Sequence, residues 1–162
     1  MQEYSMDTSD WTTFWDHWKD TIGKIPGKKE EMLNRIGEAV QEEIRRAIDE
    51  TDVNDAHGRV KSWQNPHLGS GRGYVAVRSD SVKVRSAGGA GEPVNAGALT
   101  NYLESGHKVR LPSGRAKRYV PRARMTSVPG AHFYRIAGIS ADKIARSAAQ
   151  ALLDEIGKEL KA

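Results

Sequence analysis

The residues of this chain best suited to chemistry are two histidines set in a basic, Gly- and Pro-punctuated stretch. His107 and His132 bracket Lys108, Arg110, Arg115, Lys117, Arg118, Arg122 and Arg124. An imidazole trades protons near neutral pH, and a neighbouring cation can stabilise a phosphorane-like state. The set is therefore compatible with a metal-free ribonuclease, with His107 or His132 as acid or base and Lys108, Arg110 or Arg118 as the electrostatic partner. It is equally compatible with proteins that cleave nothing. Nucleophilic catalysis needs a nucleophile beside an oriented base, and no G-x-S-x-G elbow is present. Asp55, His57 and His67 invite a metal reading, but their spacing fits no helix or hairpin ligand pattern and no third and fourth ligands accompany them. The Gly-rich stretch 87–97 has neither GxGxxG nor Walker spacing, so it reads as a flexible connector. No catalytic residue, metal ligand or cofactor is assigned, and the chain is read as a non-enzyme.

The same cations have a second use. Lys and Arg release counterions when they meet phosphate, so Lys108 to Arg124 is a candidate contact for DNA or for an acidic partner. The charge is uneven: the net value is only +4, and positions 1–20 hold five carboxylates and one lysine.

Amphipathic elements flank this segment and must position it. Ser9 or Asp10 can cap a short helix whose Trp11, Phe14, Trp15, Trp18 and Ile22 share one face, ended by Gly23, Pro26 and Gly27. Three tryptophans on one face require a partner, either this domain's own core or a neighbouring subunit. Lys28 to Glu50 is the clearest helix, with Leu33, Ile36, Val40, Ile44, Ala47 and Ile48 in a stripe and acid-first pairs such as Glu42 with Arg46 opposite. Asp52 to Gly73 is turn-rich and anchored by Val60 and Trp63. Gly73–Arg78 and Ser81–Arg85 alternate or nearly so, which predicts a β-hairpin turning at Ser79-Asp80. Tyr102 to His107 reads as a compact turn. Ser140 caps a last helix striped by Ile144, Ala148, Leu152, Ile156 and Leu160, with Ala145, Ala149 and Leu153 beside them.

A chain of 162 residues that is 38% hydrophobic supports one modest domain, and 28% charged residues argue against wholesale disorder. No apolar run reaches the roughly 20 residues of a membrane span. The N-terminus lacks a signal peptide's basic and apolar regions. The absence of cysteine removes disulfides and thiol chemistry together. The expected setting is the cytoplasm, without a membrane partner.

Several stretches in one order carry a family likeness. After the Lys28–Glu50 helix comes Asp55-Ala56-His57-Gly58-Arg59-Val60-Lys61-Ser62-Trp63, then the Gly73–Ser86 hairpin. Asn101-Tyr102-Leu103-Glu104-Ser105-Gly106-His107 follows, and Pro129–Phe133 leads into the last helix. In these stretches the chain resembles the tailed-phage neck and tail-completion (minor tail component) proteins, which include relatives of the lambda minor tail protein Z. The first stretch is similar to that family's Asp-Thr-Gly-Arg-Leu-x-x-Ser-Trp, and the second to its Tyr-Ala-x-x-Val-Glu-x-Gly-His. The likeness covers roughly Lys28 to Lys161. The chain departs at Asp-Ala-His-Gly, in the degenerate ending PGAHFYRIA and in the aromatic N-terminal helix.

The resemblance implies an α+β fold: a small antiparallel β-sheet packed against a long N-terminal-half helix and a C-terminal helix, with a long basic exposed loop. The chain is read as a domain over 28–162 of that kind, preceded, outside the likeness, by an aromatic helix and linker over 1–27. It also implies a hexameric ring in the virion neck or tail end, assembled in the bacterial host cytoplasm. The partners would be copies of itself, neck, connector and tail-tube proteins, and DNA in the lumen. Trp11, Trp15, Trp18, Tyr102, Glu104, His107 and Phe133 are the expected interface residues. The Glu104–His107 turn also has a structural reading, with Gly106 at positive φ and Glu104 paired locally. The alternatives are a nucleic-acid-binding module and the ribonuclease.

Overall fold

The computed structural model describes residues 9–55, 57–85, 92–108 and 127–161. Its first element, α1 (Ser9–Glu50), is one continuous helix of 42 residues, about 63 Å long at 1.5 Å per residue. The helix expected to stop at Gly23, Pro26 and Gly27 instead runs straight through them. Proline removes one backbone bond and costs a helix interior about 3 kcal/mol. Packing outweighs that cost, because the last helix, α4 (Phe133–Glu159), lies antiparallel along α1 and spans the Pro26 region. Lys28 pairs with Glu155 and Glu159 of α4, and His17 Nε2 donates to the Glu159 carbonyl at 2.6 Å. No backbone break falls at residue 27.

The α+β fold class holds. Between the two long helices lie α2 (Arg59–Ser62), β1 (Gln64–Leu68), β2 (Val75–Ser79), β3 (Lys83–Val84), β4 (Val94–Asn95), α3 (Ala96–Ser105), β5 (His107–Lys108) and β6 (Ser127–Val128). The strands form three antiparallel pairs, β1–β2, β3–β4 and β5–β6. This corrects the expected hairpin. Val75–Ser79 pairs backward with β1, from Gln64↔Ser79 to Leu68↔Val75, and Lys83–Val84 pairs forward with Val94–Asn95. Pro66 is tolerated in β1 because a two-stranded ladder has two edges. Helix α1 crosses this ladder at Gly37, where a Cβ would fall 2.7 Å from Pro66 Cβ and 2.8 Å from Val75 Cγ2. A glycine is required there for close approach.

The core sits at the C-terminal end of α1. Ile44, Ala47 and Ile48 pack with Val60, Trp63, Ala96, Phe133 and Ala137. Leu33 and Ile36 extend the buried stripe along α1. The α4 stripe Ile144, Ala148, Leu152 and Ile156 is half-buried, whereas Leu153, expected beside it, is 63% exposed. Helix α4 begins at Phe133 rather than at Ser140, because its cap comes from elsewhere in the chain, as described below. On the surface of α1, Glu42 pairs with Arg45, and Arg46 with Glu43 and Glu50, so the expected Glu42–Arg46 pair is replaced by its neighbours. Among the described residues no helix is long and apolar enough to cross a membrane.

Candidate functional site

Two surfaces at opposite ends of the molecule stand out. The first is the N-terminal end of α1. Because His17 meets the last carbonyls of α4, the turns of α1 before it project past the end of that helix. Trp11, Phe14, Trp15 and Trp18 sit there on one face and pack on one another. Trp11 stacks on Phe14 with centroids 5.7 Å apart, Trp15 meets both edge-on at 6.2 and 5.9 Å, and Phe14 touches Trp18 at 6.0 Å. Trp11 is 63% and Trp15 48% exposed, while Trp18 is half-buried. The rings shield each other, yet Trp11, Phe14 and Trp15 remain exposed.

The second surface is a cleft of about 620 Å³ beside the core, within the roughly 300–1,000 Å³ range of ligand pockets. Val60, Trp63, Val84, Leu99 and Leu103 form an apolar floor, and Asn54, His57, Arg59, Arg85, Tyr102 and His107 stand at the rim with Asp55. Helix α2 is held in place by Asp55, whose two carboxylate oxygens accept from Val60 N at 2.8 Å and Lys61 N at 3.1 Å. Both oxygens of this acid are therefore engaged within the fold; Arg59 Nη2 donates to the Arg85 carbonyl at 3.2 Å, and both arginines are exposed. A second cleft of about 460 Å³ lies beside it, and Tyr102, Leu103 and His107 line both. The rings of Tyr102 and His107 lie 5.4 Å apart.

The turn at the end of α3 has a structural task. The Glu104 carboxylate caps the start of α4, accepting from Tyr134 N at 2.9 Å and Arg135 N at 3.2 Å. A carboxylate is favoured at a helix N-terminus, where the backbone N–H groups are unpaired. Ala131 N and His132 N also donate, to Leu103 O at 2.8 Å and Glu104 O at 3.2 Å. Gly106 has φ 76 and ψ 175, a region only glycine occupies readily. A Cβ there would also collide with Val128 O.

A polar network ties the core to α4. Trp63 Nε1 donates to Thr100 Oγ1 at 3.0 Å, Gln64 Nε2 to the same oxygen at 3.2 Å, and Gln41 Nε2 to Gln64 O at 2.6 Å. The Tyr134 hydroxyl donates to Gln64 Oε1. Burial, with the Glu104 charge behind it, pushes the Tyr134 hydroxyl up to about 12. At the far end of α4, the hydrogen bonds that Lys28 donates to Glu155 and Glu159 raise it above its usual value, and the Lys28 contact lowers Glu155.

The expected site residues thus divide. Trp11, Trp15, Trp18, Tyr102 and His107 lie on the two surfaces. Phe133, expected at an interface, is fully buried, because as the first residue of α4 it turns into the core. Glu104 faces α4 as its cap. Lys108 is exposed in β5. Arg110, Arg115, Lys117, Arg118, Arg122 and Arg124, and residues 87–91 of the Gly-rich connector, lie outside the described residues, while the end of that expected connector instead forms β4 and the start of α3. His132 is the residue before α4, at φ 57, and lines neither cleft, so the two clefts do not unite it with His107. Among the described residues no Ser, Thr or Cys lines the larger cleft. Asp55 and His67 are separated in function: Asp55 caps α2, and His67 Nε2 lies 3.1 Å from Asp80 Oδ1, out of line for a hydrogen bond. Among the described residues no three His, Cys, Asp or Glu side chains cluster as metal ligands. The cleft itself was missed in the sequence, since its walls come from α2, β3 and α3 and only folding joins them. Searches of protein-family models, curated proteins and solved structures find no match to this chain.

Proposed function

We propose that this chain is a structural virion protein of a tailed phage, which completes the tail or joins it to the head as a hexameric ring. One observation carries the reading. A helix about 63 Å long holds an exposed aromatic end beyond the domain that anchors it. An exposed aromatic cluster of this kind is the usual mark of an interaction surface, and projecting arms suit assembly better than catalysis. The ordered motif likeness to tail-completion proteins supports the phage setting, and the α+β architecture is the one that likeness implies. In this reading the protein acts by docking, without cofactor or covalent chemistry. Its partners are other copies, neck, connector and tail-tube proteins, and the basic Lys108–Arg124 segment faces DNA in the lumen.

Light scattering on the purified protein, with negative-stain images of any large species, tests this. The expected result is a closed ring with a hole near the width of duplex DNA. A chain that forms no ring, alone or with neck partners, and instead binds DNA with steep salt dependence would replace this reading with the nucleic-acid module.

A further inference from the structure

We infer that the larger cleft is the receptor for the aromatic end of α1 from a second copy of this chain. This deepens the ring reading and rests on it only for closure of the assembly.

Three observations converge. The first is an unfilled apolar demand at each end. Trp11 and Trp15 are exposed at one end, and at the other the cleft is floored by Val60, Trp63 and Leu99. Its size suits a drug-sized molecule, which is also the scale of two indole rings. The second is charge. Arg59 and Arg85 stand at the cleft rim, and the only acid among its described lining residues, Asp55, is held in its capping bonds. The aromatic face of α1 is flanked by Asp10, Asp16 and Asp20, with Lys19 3.9 Å from Asp16 and Lys24 paired with Asp20 at 2.5 Å, which leaves one carboxylate in excess. The donor end is left one charge negative and the rim, two arginines against Asp55, one charge positive, and such complementarity steers partners and fixes register.

The third observation is distance. The cleft adjoins the C-terminal end of α1, where Val60 and Trp63 pack on Ala47 and Ile48. Trp15 lies some 32 residues before Ala47 on the same continuous helix, about 48 Å along it. One copy cannot fill its own cleft, so the contact must be made in trans. Such a contact joins unlike patches, so it repeats from copy to copy until rotation closes a ring or a filament grows.

The test uses two variants of the full chain. Trp11→Glu with Trp15→Glu removes the donor, and Arg85→Glu with Tyr102→Glu alters the receptor rim. All four positions are exposed, and thermal melts check that each variant folds. If the second variant melts early, Arg85→Glu alone replaces it. Sedimentation is then measured for wild type, for each variant and for an equimolar mixture. The expected result is association of the wild type and monomers for each variant alone. In the mixture the intact donor of one variant meets the intact cleft of the other, giving a one-to-one dimer and nothing larger. A wild type that stays monomeric at every concentration overturns the inference, as does a mixture that stays monomeric. Self-association of the cleft variant alone would mean that aromatic ends pack on each other, which also overturns it. Rings that persist in both variants would reject this contact and keep the ring reading. A mixed dimer beside wild-type chains that never close would keep the contact and reject the ring.

Discussion

Trp63 and Trp15 are the same residue type in opposite situations. Trp63 is 7% exposed, packs on Ile48 and Phe133 in the core cluster and gives its indole N–H to Thr100. Trp15 is 48% exposed and packs edge-on against Trp11 and Phe14 of its own helix. Both ends of α1 carry an apolar face, yet one end is completed by α2, α3 and the start of α4, and the other is left open past the end of α4. Helical periodicity specifies that a face must be covered; it does not say which chain covers it.

If the closed end carries stability and the open end carries assembly, substitutions should separate by position more than by residue type. Phe133→Ala, at a fully buried site, is expected to cost about 3–5 kcal/mol, seen as a large fall in Tm. Gly106→Ala should follow: its φ 76, ψ 175 conformation costs a non-glycine residue about 1–3 kcal/mol, to which the collision with Val128 O adds. Denaturant titration reads both.

Tyr134→Phe leaves the buried Gln64 without the hydroxyl donor, at about 1–3 kcal/mol. It should also change the alkaline limb. The folded Tyr134 value is raised to about 12 from 10.0, so its contribution is fully present below pH 10.0 and is lost as pH rises through about 12. A pH-dependent melt of the Phe variant should lack that loss.

The Lys28 clasp gives a smaller effect of opposite sign at acid pH. Glu155 is lowered in the fold, so its contribution is present above the ordinary carboxylate value of 4.5 and disappears as pH falls through its folded value. Glu155→Gln should flatten the acid limb of the melting profile. Smallest of all, Trp15→Ala should change Tm little, since surface substitutions usually stay within about 0.5 kcal/mol.

The sequence made some of this legible. The stripe Leu33, Ile36, Ile44, Ala47 and Ile48 named the buried face of α1, and Trp63 and Val60 were recognised as anchors. The breaks at Pro26 and before Ser140 were misread for one reason: both boundaries are set by partners distant in sequence. Helix α4 lies along residues flanking Pro26, and Glu104 supplies the α4 cap from 30 residues away. Strand pairing was misread because a two-residue Ser79-Asp80 link suggests a hairpin, while the actual partners, Gln64–Leu68 and Val94–Asn95, contain a proline and border a glycine-rich run. Helix α3 did leave a local signal. Asn95 is its cap, accepting from Gly97 N at 2.8 Å, and Gly106 is its stop, as in other glycine-ended helices. The glycines around it masked that signature. The aromatic end of α1 was fully legible as a surface in need of a partner, whereas the cleft was not, because its floor is assembled from three separate elements.

Sedimentation of the wild type over a concentration series, beside Trp11→Glu/Trp15→Glu, tests most directly whether the open end of α1 is built for another chain. The prediction is growth beyond the monomer with concentration for the wild type, and a monomer of unchanged Tm for the variant. Equal behaviour of the two proteins, whether both monomeric or both associating, would contradict it.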